Sequence, residues 1–186
     1  MTHRRILLFL TCCILCSPFH LTPARADDLQ NALTTIIPEL DKGCHDKMKL
    51  AFYVLDLRSG SSNAELNAFV TDMRETQKRL AGQLESLAKA HHIDTSFHYG
   101  NDILDKVRKR MEDTSGDQLQ DATGDNFKLH VLSDMEQDYT YQISLIKTLR
   151  SVSGLDDPLK AYLDDSLKTH QQGLKQIQVL LQRFKM

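Results

Sequence analysis

The chain has 186 residues, 41% hydrophobic and 26% charged, with a formal net charge of −2. Eight glycines, four prolines and no tryptophan are few turn-makers for this length. That profile excludes collagen-like, low-complexity and multi-pass membrane classes and argues against an all-β fold, while the length suits one domain with a proper core.

The first segment reads as a leader. His3, Arg4 and Arg5 form a basic start, Ile6 to Cys16 is apolar, and Ala24-Arg25-Ala26 closes a stretch containing Pro18 and Pro23. Basic, then apolar, then small-x-small is the pattern of a secretory signal, with cleavage expected after Ala26. The apolar run is about half of the ~20 residues that span a bilayer. The expected organisation is therefore a signal peptide over 1–26 and a single domain over 27–186. That domain would be periplasmic or secreted, with no membrane span after cleavage.

Cleavage would remove three of the 23 basic residues and none of the 25 acidic ones, moving the net charge to −5. Nucleic-acid binding, which needs a basic face to neutralise phosphates, is disfavoured. Cys12, Cys13 and Cys16 would leave with the leader, so Cys44 would be a lone thiol in a compartment that permits disulfides.

Helical periodicity dominates the remainder. Leu33, Ile37, Leu40, Cys44, Met48, Ala51 and Leu55 step by three or four and form one amphipathic stripe. Pro38 lies inside it, so a helix either kinks or begins there. After Ser59-Gly60-Ser61-Ser62-Asn63, a second stripe runs Leu66, Phe69, Val70, Met73, Gln77, Leu80, Leu84, Leu87 and ends near His91-His92. Asn101 is a candidate cap for a short helix carrying Ile103, Leu104, Val107 and Met111, and Asp113 to Asn126 reads as polar and turn-rich. A third stripe is Val131, Met135, Tyr139, Gln142, Ile146, Leu149. Beyond Ser151–Asp157 a fourth is Leu159, Leu163, Leu167, His170, Leu174, Ile177, Leu181, Phe184, with Pro158 in its first turn, where proline is best tolerated. Four long helices, two short connections and one long one predict an all-α, antiparallel four-helix bundle with an extra short helix in the central connection.

The chain also repeats itself. Leu66-Asn67-Ala68-Phe69-Val70-Thr71-Asp72 aligns with Leu159-Lys160-Ala161-Tyr162-Leu163-Asp164-Asp165, which sets Gln77 opposite His170. Two related helical hairpins joined by a long connection are the plan of ferritin-like bundles.

Gly124-Asp125-Asn126-Phe127, Met135, Asp138 and Asp157-Pro158-Leu159-Lys160-Ala161-Tyr162, together with Ala64-Glu65-Leu66-Asn67-Ala68-Phe69-Val70, carry a resemblance to a family. Over roughly Leu50 to Leu181 the chain resembles a bacterial family of exported ferritin-like proteins, the domain of unknown function DUF4142. The resemblance implies a fold and an exported location and no known reaction. It also implies an Asp-His pair in helix two, another in helix three and a His in helix four. Here the histidine positions hold Gln77, Tyr139 and Gly173, and only Asp138 of the pairs is kept.

Candidate chemistry is sparse. A carboxylate-bridged di-iron site needs Glu-x-x-His motifs, and none occurs, so ferroxidase chemistry is disfavoured. No nucleophile motif or phosphate-cradling glycine loop is present, and Asp117, Asp121 and Asp125 lack calcium-loop order. His91, His92 and His98 read as a solvated helix end or a surface metal site.

At a helical rise of about 1.5 Å per residue, Cys44, Gln77, Tyr139 and His170 fall at one height, with Asp138 and His45 adjacent but rotated off the stripe. Two readings follow: a buried hydrogen-bonded layer that fixes helix register, or a site for a borderline metal, Cu or Zn, with Cys44, Tyr139 and His170 as candidates. The expected function is a non-enzymatic envelope binding or stress-related protein, its partner an envelope protein or a second copy. The alternative is a small metal- or redox-binding bundle using the central layer.

Overall fold

The computed structural model describes residues 23–57, 63–97 and 103–185. The expected leader, up to residue 22, lies outside them, as do Ser59–Ser62, His98 and the expected cap Asn101. Five helices follow one another: α1 (Pro23–Phe52), continued by a π-helical turn (Tyr53–Leu57), α2 (Ala64–Ala90), α3 (Ile103–Asp121), α4 (Gly124–Arg150) and α5 (Asp157–Lys185). Among the described residues there is no strand, and no helix is long and apolar enough to cross a membrane.

α1 packs on α2 and α4 on α5, and the two hairpins close through α1 against α4 and α2 against α5. The direction of each neighbour is fixed by cross-helix pairs. Gln142 donates to the Glu39 carbonyl while Asp138 meets Lys47, so α4 descends as α1 ascends. Glu65 with Arg183 and Arg79 with Asp165 set α2 antiparallel to α5. α2 and α4 consequently run parallel, and the chain must travel back along the bundle between them. α3 makes that return.

The helix ends follow from their sequence. Asn63 caps α2 by accepting from the Leu66 N–H at 2.9 Å, and Asp156 caps α5 by accepting from the Leu159 N–H at 3.0 Å. α2 ends in a Schellman motif. His92 takes the left-handed conformation (φ 54°), the Ile93 N–H donates to the Ala88 carbonyl, and the Ile93 side chain is buried. Glycine is usual at that position, so the histidine there is a stabilising opportunity left unused.

Of the two alternatives at Pro38 the helix start is excluded, because α1 runs through it. Two expectations are corrected. The connecting helix is not short. α3 continues through Ser115-Gly116, because the Ser115 hydroxyl donates to Asp134 at 2.5 Å and Leu119 packs on the core, which outweighs the ~1 kcal/mol helix penalty of Gly116. The buried stripes also rotate by one position at mid-bundle. Lys47, Ser166 and Gly173 are buried where Met48, Leu167 and Leu174 were expected, and these three are only half-buried.

That rotation has a cause visible in the core. One apolar cluster holds Leu33, Leu40, Leu80, Leu84, Ile146 and Leu163; a second holds Ala51, Val70, Met73, Val131, Met135 and Ile177. Between them lie the buried polar side chains Lys47, Gln77, Gln142, Ser166 and His170.

Candidate functional site

Each helix of the bundle contributes to this layer. α1 supplies Gly43, Cys44 and Lys47, α2 supplies Gln77, α4 supplies Asp138, Tyr139 and Gln142, and α5 supplies Ser166, His170 and Gly173. Cys44, Gln77, Tyr139 and His170, expected at one height, are all buried at mid-bundle. His45 is not part of the layer: it is exposed and paired with Asp41 at 3.3 Å. His91 leaves its helix end to pair with Asp156 at 3.2 Å, which ties the end of α2 to the start of α5.

The residue that sequence reasoning missed is Lys47. Its side chain is 2% exposed, and its Nζ lies 2.5 Å from the Asp138 carboxylate, whose own side chain is 34% exposed. The ammonium also donates to the Gly43 carbonyl at 3.3 Å and stands 5.0 Å from the Tyr139 ring centre. A buried ammonium is tolerated only when paired and hydrogen-bonded, and Asp138 with the tyrosine face supplies both partners. The stride Cys44, Lys47, Ala51, Val54 was the available signal.

Two glycines let the aromatic and amide side chains in. A Cβ at Gly173 would overlap the Tyr139 ring, and one at Gly43 would overlap the Gln142 amide. Tyr139 therefore lies over α5 at Gly173, with its ring 5.3 Å from that of His170. The Gly173 position, which the resemblance marks as a histidine site, is filled from across the interface by a phenol.

The electrostatics of the layer hold its imidazole, thiol and phenol neutral beside the Lys47–Asp138 ion pair. Burial lowers the His170 imidazole to about 3, the Lys47 charge adds to the effect, and a bond to the Ser166 backbone opposes it. Its Nδ1 lies 2.8 Å from the Ser166 carbonyl, which only accepts, so Nδ1 carries the hydrogen and Nε2 presents a lone pair. Burial pushes the Cys44 thiol up to about 12, with Lys47 opposing, and raises the Tyr139 phenol well above its ordinary value. The Gln77 amide is near enough to Tyr139 to counter that rise, yet neither of its polar atoms reaches hydrogen-bonding geometry. The Nε2 of His170 and the Oε1 of Gln142 are likewise buried without a protein partner.

This arrangement stores polarity without a poised acid, base or thiolate. The nucleophile and soft-metal ligand is the thiolate, and Cys44 is held as a thiol. Among the described residues no group of three or more His, Cys, Asp or Glu side chains is placed to hold a metal ion. Cys44, Tyr139 and His170 are buried at one level of the bundle.

A second feature lies outside the bundle. Ile103, Val107 and Met111, on successive turns of α3, are 79%, 49% and 62% exposed. With Lys106, Arg110, Thr114 and Gln118 they line a groove of 550 Å³ against Asp134 and Gln137 of α4.

Comparison with known proteins agrees with this architecture. The chain is similar to a crystal structure of a DUF305 fragment from Deinococcus radiodurans, with a TM-score of 0.69 over 82% of this chain and 96% of that one. At 10% identity the likeness is one of fold. No curated protein matches the chain. The family described as a domain of unknown function (DUF4142) matches residues 58–180, which takes in Gln77, Asp138, Tyr139, His170 and Gly173 and leaves Cys44 and Lys47 outside. With two-thirds of its length matched in this way, the chain belongs to the DUF4142 family.

Proposed function

We propose that the protein is a non-enzymatic binding protein of the bacterial envelope, which recognises its partner through the outer face of α3 and uses the buried layer for helix register. One observation carries the reading: three large apolar side chains stand open along α3 beside a groove, while the interior thiol and imidazole are sealed and neutral. An apolar stripe at an exposed helix face marks an interaction site more often than a lone exposed residue does. The leader-like Met1–Ala26 supports export.

The deciding experiment compares two sets of variants in a strain lacking the protein, scored on survival under envelope stress. Val107→Asp and Met111→Asp are expected to fail to complement, whereas folded Cys44→Ser and His170→Gln variants complement. The reverse pattern would reject the reading. Cell fractionation with N-terminal sequencing tests the location, and the expected mature N-terminus is Asp27.

The second reading, a Cu- or Zn-binding bundle, draws on His170. An imidazole whose Nδ1 donates to a carbonyl and whose Nε2 is unpartnered is oriented as metal-ligating histidines usually are. The Lys47 ammonium in the same layer opposes a cation there. Stoichiometric Cu or Zn binding by calorimetry that disappears in Cys44→Ala/His170→Ala would favour this reading over the first.

A further inference from the structure

We propose that the occupant of the α3 face is a second copy of this chain, with two α3 helices packed antiparallel about a two-fold axis near Met111 and Glu112. The proposal rests on the reading of α3 as the working surface and adds the partner.

The orientation of α3 is set by its anchors. Glu112 pairs with Lys42 of α1 at 2.9 Å, Ser115 bonds Asp134 of α4, and Leu119 packs on the core. These positions mark the side turned to the bundle. At 100° per residue a flank about 110° round from these anchors carries Ile103, Val107, Met111, Thr114 and Gln118 as a strip beside the α4 groove, edged on the side away from the bundle by Lys106, Arg110, Asp113 and Asp117. All nine are exposed.

The charges on that edge choose the partner. Its first half is basic, with Lys106 and Arg110, and its second half acidic, with Asp113 and Asp117. In an antiparallel pair the same edge of each helix meets itself in reverse order. Placing the axis between Met111 and Glu112 sets Arg110 opposite Asp113 of the partner subunit and Lys106 opposite Asp117 of the partner subunit. Both pairs satisfy one register, and symmetry doubles them to four. In a parallel pair the two charged edges would lie on opposite sides of the seam and form none of these pairs. An anionic membrane or a uniformly acidic peptide would satisfy Lys106 and Arg110 and be repelled by Asp113 and Asp117. The split edge is complementary to itself.

The seam agrees with this register. Met111 lies beside its symmetry mate at the axis, Val107 falls between Thr114 and Gln118 of the partner subunit, and Ile103 comes within one turn of Gln118 of the partner subunit. An interface in which the same patch serves both chains closes on itself and stops at a dimer. α3 is 19 residues long, about 28 Å, and one helix face about 10 Å wide offers a footprint of roughly 300 Å². That falls below the ~800 Å² per partner of a standard stable complex. The dimer is therefore reversible and concentration-dependent.

The test is sedimentation equilibrium of the purified protein over about 1 µM to about 1 mM, joined to thiol cross-linking. The wild type is expected to shift from monomer to dimer within that range. Arg110→Glu should weaken the dimer about ten-fold, because two attractive pairs become repulsive. Arg110→Glu/Asp113→Arg should restore it to within about three-fold. Met111→Cys, next to the axis, should form a disulfide-linked dimer under mild oxidation, and Cys44, 1% exposed, does not compete for it. A monomer throughout the range, or a dimer indifferent to Arg110→Glu and not cross-linked through Met111→Cys, overturns the proposal. If that result comes with loss of complementation by Val107→Asp, the second copy fails as occupant and α3 stands as a surface for another partner. If α3 dimerises but its disruption leaves complementation intact, the functional reading fails and the dimer stands.

Discussion

Removing either member of the Lys47–Asp138 pair breaks the same contact, yet the two deletions should differ in cost. Lys47 is 2% exposed and Asp138 34% exposed. In Asp138→Asn the ammonium stays buried, held by the Gly43 carbonyl at 3.3 Å and the Tyr139 face. Leaving a buried charge unpaired costs about 3–5 kcal/mol. In Lys47→Met the charge left behind is a carboxylate that water already reaches, and the thioether refills most of the buried stem. About 1–2 kcal/mol is then expected. The double variant Lys47→Met/Asp138→Leu should fall near the wild type, since a well-packed apolar pair often replaces a buried ion pair without loss. Urea unfolding followed by circular dichroism measures all three. With a slope of about 1–3 kcal/mol per M, the two single variants should be separated by roughly 1 M in midpoint. If Lys47→Met costs as much as Asp138→Asn or more, the cost does not arise from stranding a buried ammonium and the reasoning fails.

Four other outcomes follow from the same geometry. His170 is neutral in the fold down to about 3, below its ordinary value near 6.5. Its contribution is thus fully present above pH 6.5 and is lost as the pH falls towards 3, by about 1.4 kcal/mol per unit; His170→Gln should remove that part of the slope, and parallel wild-type and variant profiles between pH 6 and 4 would refute it. Gly173→Ala should cost about 1–3 kcal/mol through the Tyr139 ring, with Tm recovering in Gly173→Ala/Tyr139→Leu; a neutral single variant would show that the ring moves aside freely. His92→Gly should raise stability by about 1 kcal/mol by relieving the left-handed backbone, and calorimetry showing a lower Tm would contradict it. Cys44, buried and with its thiol pushed up to about 12, should react with a thiol reagent only at the unfolding rate, so rapid labelling in native buffer would show the layer open.

Much of the bundle was legible because apolar residues recur at helical spacing. Every position of the third stripe, Val131 to Leu149, is buried, and Pro158 and Asn63 mark helix starts where local chemistry places them. Legibility broke down at the centre, where burial no longer tracks polarity. A stripe drawn through apolar side chains passes over Lys47, Ser166 and Gly173 and takes Met48, Leu167 and Leu174. The pairing of an ammonium with a carboxylate, and of a ring with a missing side chain, is a tertiary fact that no single helix encodes. α3 was misread for a related reason. Ser115 and Gly116 look like a turn in isolation, and only the Asp134 carboxylate on α4 makes them helical.

The internal repeat suggests what the layer does. Gln77 and His170 occupy matching positions in the two hairpins, and each puts an unpartnered polar atom into the core. Had the bundle been apolar throughout, either hairpin could slide by a turn, about 5.4 Å, against the other with little change in contacts. With the layer in place a slide takes Lys47 off Asp138 and presses the Gln142 amide against a residue larger than Gly43. The penalty falls on the displaced states more than the reward falls on the correct one, as a buried polar group used for register requires. Register in turn determines which residues of α4 lie beneath α3. Asp134 sits one turn from Asp138, so the pair that fixes α1 against α4 also sets where Ser115 docks and how Ile103, Val107 and Met111 are presented. The sealed interior and the open helix face are linked in this way, and a defect in the layer should reach the surface as a misplaced α3.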